Sequence, residues 1–403
     1  MVPKEWINVS LGDVITYKKG FAFDSSNFQS HGVQIIRISD TTSNSISLKN
    51  PIYVSKEVAA KLTAFIVHEG DIVLSTVGSR PHLVDSMVGK AVRIPKETEG
   101  SLLNQNLVKL IPKKSVIIND YLYLMVKKSR FIYFISTLIR GNANQVSITL
   151  KELFKYKFPL PPLIEQKKIT QILSTWDKAI TTTEKLLVNS EQQKKALVQQ
   201  LLTGKKRFSE FQEAWKIKTV SDFGHVVTGN TPSKAIKKNY GDSICWATAE
   251  DFKSKYINDT RIKLSQEGAL RARVLPAGSV LITCIASIGK NAIASTTLAT
   301  NQQINAVIIN TENSNEYFYY LMEFHKKELI ALAGTTAVPI LNKASFQKIK
   351  VFVPSFEEQR KIAALLATVD IQRENLKMQL EKLCNEKKAL MQQLLTGKRR
   401  VQV

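Results

Sequence analysis

The same seven residues occur twice in this chain. QQLLTGK occupies Gln199–Lys205 and again Gln392–Lys398, 193 residues later. The same offset relates further matches upstream: Pro161, Glu165-Gln166 and Lys168-Ile169 recur as Pro354, Glu358-Gln359 and Lys361-Ile362. Because the offset is constant, neither copy has gained or lost a residue over this stretch, so its length is itself constrained. A duplication on this scale predicts two related halves.

Each repeated segment is predicted to be one long helix. Pro162 and Pro354 precede the two segments, and proline fits the first turn of a helix but not its interior. Both segments close on Leu-Leu-Thr-Gly followed by basic residues, and Gly204 and Gly397 can adopt the left-handed conformation that ends a helix. These signals bracket roughly 40 residues, or about 60 Å of helix.

A heptad seam runs along both predicted helices. Its positions alternate in steps of three and four: Leu173, Trp176, Ile180, Thr183, Leu187, Ser190, Lys194, Leu197 and Leu201 in the first helix, and Leu366, Val369, Arg373, Leu376, Leu380, Leu383, Lys387, Leu390 and Leu394 in the second. Such a seam predicts that the helices pair with each other as a coiled coil. A long globular segment separates them in the chain, so they can run antiparallel.

The intervening segments combine short β-like runs with helix-like pieces. The β-like runs are Val33–Ile38, Asp71–Val77, Leu107–Ile111, Ser279–Ile285 and Ala306–Ile309, and the helix-like pieces lie near Asp120–Ile139 and Glu316–Ala333. The predicted fold class is α+β: two mixed α/β domains at residues 1–157 and 209–350, separated by two long antiparallel coiled-coil helices at 158–208 and 351–403, with a pseudo-two-fold internal repeat.

The two globular segments are themselves loosely related. Trp6 and Gly20 match Trp215 and Gly229 at an offset of 209, and Asn104-Gln105 matches Asn301-Gln302 at 197. Both tryptophans are assigned to the core. Since the helices kept their length while the globular parts diverged, the pattern is that of a rigid spacer that carries two different readers.

The chain is strongly basic, with a formal net charge of +23 over 403 residues. The excess is spread over every segment, which suits a long polyanion such as double-stranded DNA. No apolar run approaches the length of a membrane span, the N-terminus has no signal-peptide pattern, and the three widely spaced cysteines fit neither a disulfide framework nor a metal site. We therefore expect a cytoplasmic, metal-free protein that does not contact membranes.

Catalytic motifs are not found in the sequence, so no catalytic residue is assigned. There is no phosphate-binding loop, dinucleotide fingerprint, HExxH zinc motif or nucleophile elbow. Asp71 or Asp85 with Lys90 could form a nuclease-like set of two acids and a lysine, although scattered carboxylates of this kind are usually surface residues. We expect a chain that performs no covalent chemistry alone.

Polar loops with nearby cations offer DNA-binding chemistry instead. Asn and Gln can bond adenine, Arg can bond guanine, and Ser, Thr and Lys suit phosphates. The candidates are Ser75, Thr76, Ser79, Arg80, Lys90, Asn104, Gln105, Arg140 and Asn142 in the first domain, and Thr228, Asn230, Thr231, Ser233, Ser287, Lys290, Asn301, Gln302 and Thr335 in the second. The alternative is that these residues cap turns and strand edges, which an internal duplicate preserves just as readily.

Taken together, these motifs resemble the DNA-specificity subunit of type I restriction–modification systems. Each half ends in Pro-x-x-x-Glu-Gln-(Lys/Arg)-Lys-Ile, a long helix and Gln-Gln-Leu-Leu-Thr-Gly-Lys, and the second half adds Thr-Pro-Ser at 231–233, Ser-Ile-Gly-Lys at 287–290 and Asn-Gln-Gln at 301–303. The first half departs from the pattern, because it has no Thr-Pro-Ser after Gly20 and an insertion separates Gly78 from Gly89.

The resemblance implies two target recognition domains, each of which reads one half of a bipartite, asymmetric DNA sequence. It implies that the helices set the spacer and dock two modification subunits, which bind S-adenosylmethionine, while restriction subunits use ATP and Mg; this chain itself binds no cofactor. The candidate docking residues are Glu165, Gln166, Lys168, Lys194, Lys195, Glu358, Gln359, Lys361, Lys387 and Lys388. The alternative function is a coiled-coil protein–protein scaffold with an incidentally basic surface.

Overall fold

Two compact units make up the protein in a computed structural model, which describes residues 3–42, 44–79, 88–139, 146–334 and 338–402. The first unit combines Met1–Thr181 with Glu381–Val403, and the second is Thr182–Leu380. Each unit therefore contains one globular domain and segments of both long helices.

The first unit contains eleven strands among its described residues. They are β1 (Ile7–Ser10), β2 (Ile15–Lys19), β3 (Val33–Ile36), β4 (Ile52–Val54), β5 (Ile72–Ser75), β6 (Val77–Gly78), β7 (Ala91–Arg93), β8 (Leu102–Leu103), β9 (Leu107–Pro112), β10 (Val146–Ser147) and β11 (Lys157–Leu160). The helices that begin here are α1 (Leu11–Val14), α2 (Lys56–Ala60), α3 (Asn119–Lys127), α4 (Ser129–Leu138), α5 (Leu150–Leu153) and α6 (Leu163–Leu201).

The second unit repeats this succession of elements. Its strands are β12 (Lys216–Thr219), β13 (Gly224–Thr228), β14 (Tyr240–Ala247), β15 (Tyr256–Ile257), β16 (Lys263–Leu264), β17 (Val274–Leu275), β18 (Val280–Thr283), β19 (Asn291–Ala294), β20 (Leu298–Thr300), β21 (Ile304–Ile309) and β22 (Lys350–Val353). Its helices are α7 (Gln266–Leu270), α8 (Asn315–Phe324), α9 (Lys326–Leu332), α10 (Lys343–Gln347) and α11 (Phe356–Leu394).

Sheet topology confirms the internal repeat. The first domain has an antiparallel sheet of order β2-β9-β5-β7, and the second domain has β13-β21-β18-β19 with β15 added at the edge. A smaller mixed sheet of order β4-β3-β8 corresponds to β16-β14-β20, in which β17 is added. In both smaller sheets the central strand pairs parallel with one neighbour and antiparallel with the other. The five β-like runs of the sequence analysis all contain strands, whereas each helix-like piece is divided into two helices, at Lys128 and at His325.

The two long helices are continuous, as the sequence predicts, and each has 39 residues. Both end in the expected glycine conformation, with φ of +69° at Gly204 and +73° at Gly397. Every seam position named above is buried or half-buried. Within each unit the helices run antiparallel, since Lys387 contacts Asp177 in the first unit and Lys194 contacts Asp370 in the second. These two pairs are equivalent under the offset of 193 residues.

Each long helix begins against a buried tryptophan. The indole nitrogen of Trp6 donates to Glu165, and that of Trp215 donates to Glu358, both over 3.2 Å. The assignment of both tryptophans to the core is confirmed, since they are 5% and 7% exposed. The same apolar clusters contain the seam leucines of the neighbouring helix segments, so the domain and helix cores are continuous within each unit.

An arginine beyond the end of the opposite helix completes each site. Arg400 pairs with Glu165 in the first unit, and Arg207 pairs with Glu358 over 2.8 Å in the second. Burying a carboxylate is costly unless an opposite charge or hydrogen-bond donors are present. The basic residues that follow Gly204 and Gly397 therefore supply the charge that the buried glutamates need.

The glutamines next to these glutamates satisfy buried backbone groups. Gln166 accepts a bond from the Ile118 amide, and Gln359 accepts one from the Ser314 amide, both over 3.0 Å. Both glutamines are fully buried, and the two glutamates are at most 1% exposed. The four side chains were candidates for partner docking, but here they fasten the helix starts to the domains and offer no exposed surface.

No helix in the described part of the chain is both long and apolar enough to cross a membrane.

Candidate nucleic-acid interface

Three polar loops of the second domain lie at one edge of its large sheet. Strand β13 ends at Thr228, which pairs with Asn305 at the start of β21, and Ile304 pairs with Thr283 at the end of β18. The loops at 228–233, 284–290 and 301–303 therefore leave the sheet on the same side. The structure thus brings together residues that are more than 70 positions apart in the chain.

Glycine is required where the first and third of these loops meet. A Cβ atom at Gly229 would lie 2.3 Å from the carbonyl oxygen of Asn301, and one at Gly20 would lie 2.1 Å from that of Asn104. No side chain fits such an approach, so the recurrence of Gly20 and Gly229 has a structural cause.

The paired asparagines have a structural role as well. The side-chain oxygen of Asn301 accepts from the Gln303 amide over 3.0 Å, and that of Asn104 accepts from the Asn106 amide over 3.2 Å. These are the same turn in the two domains. The residues that follow, Gln105 and Gln302, are exposed, so the glutamines rather than the asparagines are available to a ligand.

Asn230 ties the Thr-Pro-Ser loop to a neighbouring strand edge. Its amide nitrogen donates to the Arg271 carbonyl and its amide oxygen accepts from the Arg273 backbone, each over 2.8 Å. Thr231 donates to the side chain of Gln302 in the third loop. Asn230 is therefore a scaffold residue, and its effect is to place Arg271 and Arg273 beside Gln302.

Sequence reasoning missed these two arginines. Both are exposed; Arg273 donates from Nη1 to the Thr228 carbonyl over 2.6 Å, and Arg271 donates to Asn239 over 2.9 Å. Each bond uses one of the five donors of a guanidinium. The available signal was the pair of cations in Arg-Ala-Arg at 271–273, just before β17. Lys234, Lys237 and Lys238, which follow the Thr-Pro-Ser loop in the chain, are also exposed.

The loop at 284–290 presents Ser287 and Lys290 to solvent. Thr283 accepts from the Lys290 amide over 3.0 Å and donates to the Ser287 carbonyl, which closes the loop. Ala286 has a φ of +61°, the only positive value among the described non-glycine residues. At the base of the loop the Cys284 sulfur accepts from Asn305 over 3.2 Å, and burial raises the pKa of this thiol to about 11.

The equivalent lysine of the first domain is placed differently. The Lys90 amide donates to Ser75 over 3.1 Å, as Lys290 does to Thr283. The Lys90 side chain is nevertheless 3% exposed and donates to the Thr41 carbonyl over 2.9 Å. The expected phosphate contact of Lys90 therefore does not fit the structure, because the ammonium is committed inside the domain.

The other candidate DNA-binding residues of the first domain also include both buried and exposed side chains. Ser75 and Thr76 are buried, Ser79 is half-buried and Gln105 is exposed. Asp71, one of the two acids considered with Lys90, pairs instead with Lys109 over 3.0 Å. Arg80, Asp85, Arg140, Asn142 and Thr335 lie outside the described residues. Among the described residues, no His, Cys, Asp and Glu side chains form a group that could hold a metal ion.

The lysines proposed for docking lie on the long helices. Lys168, Lys195, Lys361 and Lys388 are exposed, whereas Lys194 and Lys387 are half-buried in their interhelical ion pairs. Lys361 is paired with Glu210, so Lys168, Lys195 and Lys388 are the exposed lysines that remain candidates for a partner. The two half-buried lysines fix the alignment of the helix segments.

Two related mixed domains, each followed by a long helix, make this a duplicated two-domain protein. Residues 3–190 and 212–384 match the family model described as type I restriction modification DNA specificity domain, and the chain belongs to this family. It is 26% identical over 432 residues to the type I restriction enzyme MjaVIII specificity subunit of Methanocaldococcus jannaschii. The alignment covers 99% of this chain and 94% of that protein.

Solved structures of the same class share the fold. The S subunit of the type I restriction–modification system of M. genitalium aligns with a TM-score of 0.62 at 15% identity, over 97% of this chain and 96% of that one. The HsdS subunit of Thermoanaerobacter tengcongensis aligns with a TM-score of 0.53 at 18% identity, over 99% of this chain and 98% of that one. The resemblance stated from the sequence motifs is confirmed.

Proposed function

We propose that this chain selects the DNA target of a type I restriction–modification complex by reading a bipartite, asymmetric sequence. The observation that carries the proposal is the gathering of Gln302, Arg271, Arg273 and Lys290 at one edge of the second domain, on a chain of net charge +23. Guanidinium and amide groups suit base edges in the major groove, and ammonium groups suit phosphates. The related edge of the first domain serves as the second reader.

The two readers have different chemistry at equivalent positions. Helices α2 and α7 both follow a capping serine, Ser55 and Ser265, whose oxygen accepts from the amide three residues later. Beyond these helices, Val274 pairs with Ala299 and Ile66 pairs with Leu102 at the equivalent place, so Arg273 of the second domain corresponds to Phe65 of the first. An arginine can bond guanine with two donors, whereas a phenylalanine cannot. The two half-sites therefore differ, and the target is asymmetric.

The long helices act as the spacer between the readers. Their equal length and their equivalent ion pairs, Lys194–Asp370 and Lys387–Asp177, support this role. Two modification subunits dock on the helices, with exposed Lys168, Lys195 and Lys388 as candidate contacts. Catalysis resides in those partners and in restriction subunits, which use S-adenosylmethionine, ATP and Mg, and the complex works in the cytoplasm.

The test is base-modification sequencing of the host genome with and without this gene. We expect methyladenine to disappear at one interrupted, asymmetric motif when the gene is deleted. An unchanged modification pattern would contradict the proposal in a host whose modification subunit is expressed. The scaffold alternative is tested by DNA affinity, because a reader that neutralises several phosphates loses affinity with a log–log salt slope of about −0.9 per contact.

A further inference from the structure

A series of polar contacts connects the large sheet of the second domain with both long helices. Lys255, which precedes edge strand β15, pairs with Glu316 of α8 and donates to the Tyr320 hydroxyl over 3.1 Å. The Tyr320 hydroxyl donates in turn to Asp370 of α11 over 2.9 Å. Lys194 of α6 donates to the other oxygen of Asp370 over 2.6 Å. The Tyr320 phenol thus links Lys255 to Asp370 of α11, and Asp370 extends the chain of contacts to α6.

Burial strengthens these contacts. Tyr320 is 1% exposed, and the Lys255 ammonium lies 4.4 Å from its ring centre and 5.2 Å from that of Tyr319. Cation–aromatic attraction increases when both groups are removed from water. Burial and the charge of Asp370 raise the pKa of Tyr320, so the phenol keeps its proton and remains the donor to Asp370.

The contact at Asp370 is a second point of attachment between the domain and its helix. The first is Gln359 at the helix start, which accepts from the Ser314 amide. Asp370 follows Gln359 by 11 residues, which is about 16 Å along a helix. Polar contacts at two separated places on a rigid helix, added to the apolar packing near its start, resist tilting of the domain more than contacts at the start alone.

The first domain lacks a hydroxyl at the equivalent place. Tyr121 and Tyr317 are fully buried at the same turn of α3 and α8, and the offset between them places Leu124 where the second domain has Tyr320. A cavity of about 910 Å³ is lined by Leu124 and by Asp177, the counterpart of Asp370. Leucine cannot donate to that carboxylate.

The cationic part of the contact is nevertheless kept in the first domain. Arg93 pairs with Asp120 over 2.6 Å, and its guanidinium carbon lies 4.3 Å from the ring centre of Tyr123. Asp120 and Tyr123 correspond to Glu316 and Tyr319 at the offset of the two helices. The units therefore differ in the contact from the domain to the long helix and in the element that supplies the cation, which is β7 in the first domain and the segment before β15 in the second.

We propose that Tyr320 is a positioning residue whose bond to Asp370 fixes the tilt of the second recognition domain and thereby restricts the spacer length that the complex accepts. The inference rests on the proposed function, since it assigns the source of spacer selectivity within it. Base recognition stays with the sheet edge, so the half-site bases do not depend on Tyr320.

The test compares the complete complex with and without this hydroxyl. The chain and its modification subunits are co-expressed with plasmids that carry the host motif with its native spacer, or with one base pair more or fewer. Tyr320→Phe should raise modification of the altered spacers relative to the native one by about ten-fold, the effect of losing one hydrogen bond to a charged group. The motif bases should stay the same.

Two further variants keep the outcome specific. Tyr319→Phe removes the neighbouring hydroxyl, which is not the donor to Asp370, and should leave the ratio unchanged. Leu124→Tyr places a phenol in the cavity beside Asp177 and should lower the ratio; it carries the test if Tyr320→Phe does not fold. Equal loss of modification at all spacers in a folded Tyr320→Phe variant overturns the inference alone. An unchanged ratio in folded Tyr320→Phe, or in folded Leu124→Tyr, does the same. If the chain without substitutions directs modification to no interrupted motif, the proposed function is overturned and the inference with it.

Discussion

Replacement of Gln359 by leucine should destabilise the second unit by about 3 kcal/mol. The side chain is fully buried, accepts from the Ser314 amide over 3.0 Å and donates to the Pro354 carbonyl over 3.1 Å. Leucine fills nearly the same volume but has no polar atom, so both backbone groups lose their partner in the interior. Each unpaired buried group costs about 1–3 kcal/mol, and two of them account for the figure.

A loss of this size is measurable by calorimetry. For a domain of about 200 residues it lowers Tm by about 6–12 °C, and hydrogen exchange should show the faster amides in residues 182–380. Gln166→Leu is the matched variant for the first unit, because Gln166 accepts from Ile118 over 3.0 Å and donates to Pro161 over 2.9 Å. Gln199→Leu, at an exposed helix position, should change stability by less than about 0.5 kcal/mol.

The reasoning is refuted if Gln359→Leu costs less than about 1 kcal/mol, the lower bound for a single orphaned group. It is also refuted if the faster exchange is spread equally over both units. A variant as stable as the parent that no longer retains the modification subunits would restore the docking role that the sequence suggested for Gln359.

Three other perturbations test the helices, the reading face and the interior. Deletion of Asn189 turns the following residues of α6 by about 100° and breaks the Lys194–Asp370 pair, so genomic modification should be lost. A four-residue insertion matched in both helices should instead change the spacer length that is modified. A deletion variant that keeps its original target and activity contradicts the spacer role. Arg273→Ala should relax base preference at one position of one half-site by about 1–3 kcal/mol, read by modification sequencing. Thr63→Ala, at an exposed position of the first domain, is the control that leaves that half-site unchanged, and an identical motif in both variants removes Arg273 from the reading face. Exposed Cys384 should react with a thiol reagent at neutral pH. Burial raises the pKa of Cys284 to about 11, so its thiol stays neutral below pH 11 and should react only above that pH or on unfolding. Rapid labelling of both cysteines at neutral pH contradicts the burial of Cys284.

Predictions about the helices succeeded because they depend on near neighbours in the chain. Proline before the first turn, glycine after the last and the heptad seam are local signals, and α6 and α11 have the expected starts, ends and buried positions. The helix-like piece at Glu316–Ala333 was less accurate, since His325 interrupts it. The break at His325 has no comparably strong signal in the residue pattern.

Predictions about site residues succeeded less often, because polar residue types do not reveal burial. Lys90 and Lys290 stand in equivalent loops, yet one donates to a carbonyl inside the domain and the other reaches solvent. Asn230 was a candidate reader, but it holds the strand edge that presents Arg271 and Arg273. The side chains around each group decide its role, and those come from distant parts of the chain.

The sequence by itself determined the duplicated architecture, the two helices of fixed length and the membership of the chain in the specificity family, since repeats and local helix signals are written directly in residue order. Only the tertiary structure decided that Glu165 and Glu358 are interior residues, because the tryptophans that bind them lie 159 and 143 positions away. It likewise decided which loops share the reading edge and placed the Tyr320 phenol against Asp370. Contacts of this kind depend on how distant segments pack, and no local pattern specifies that packing.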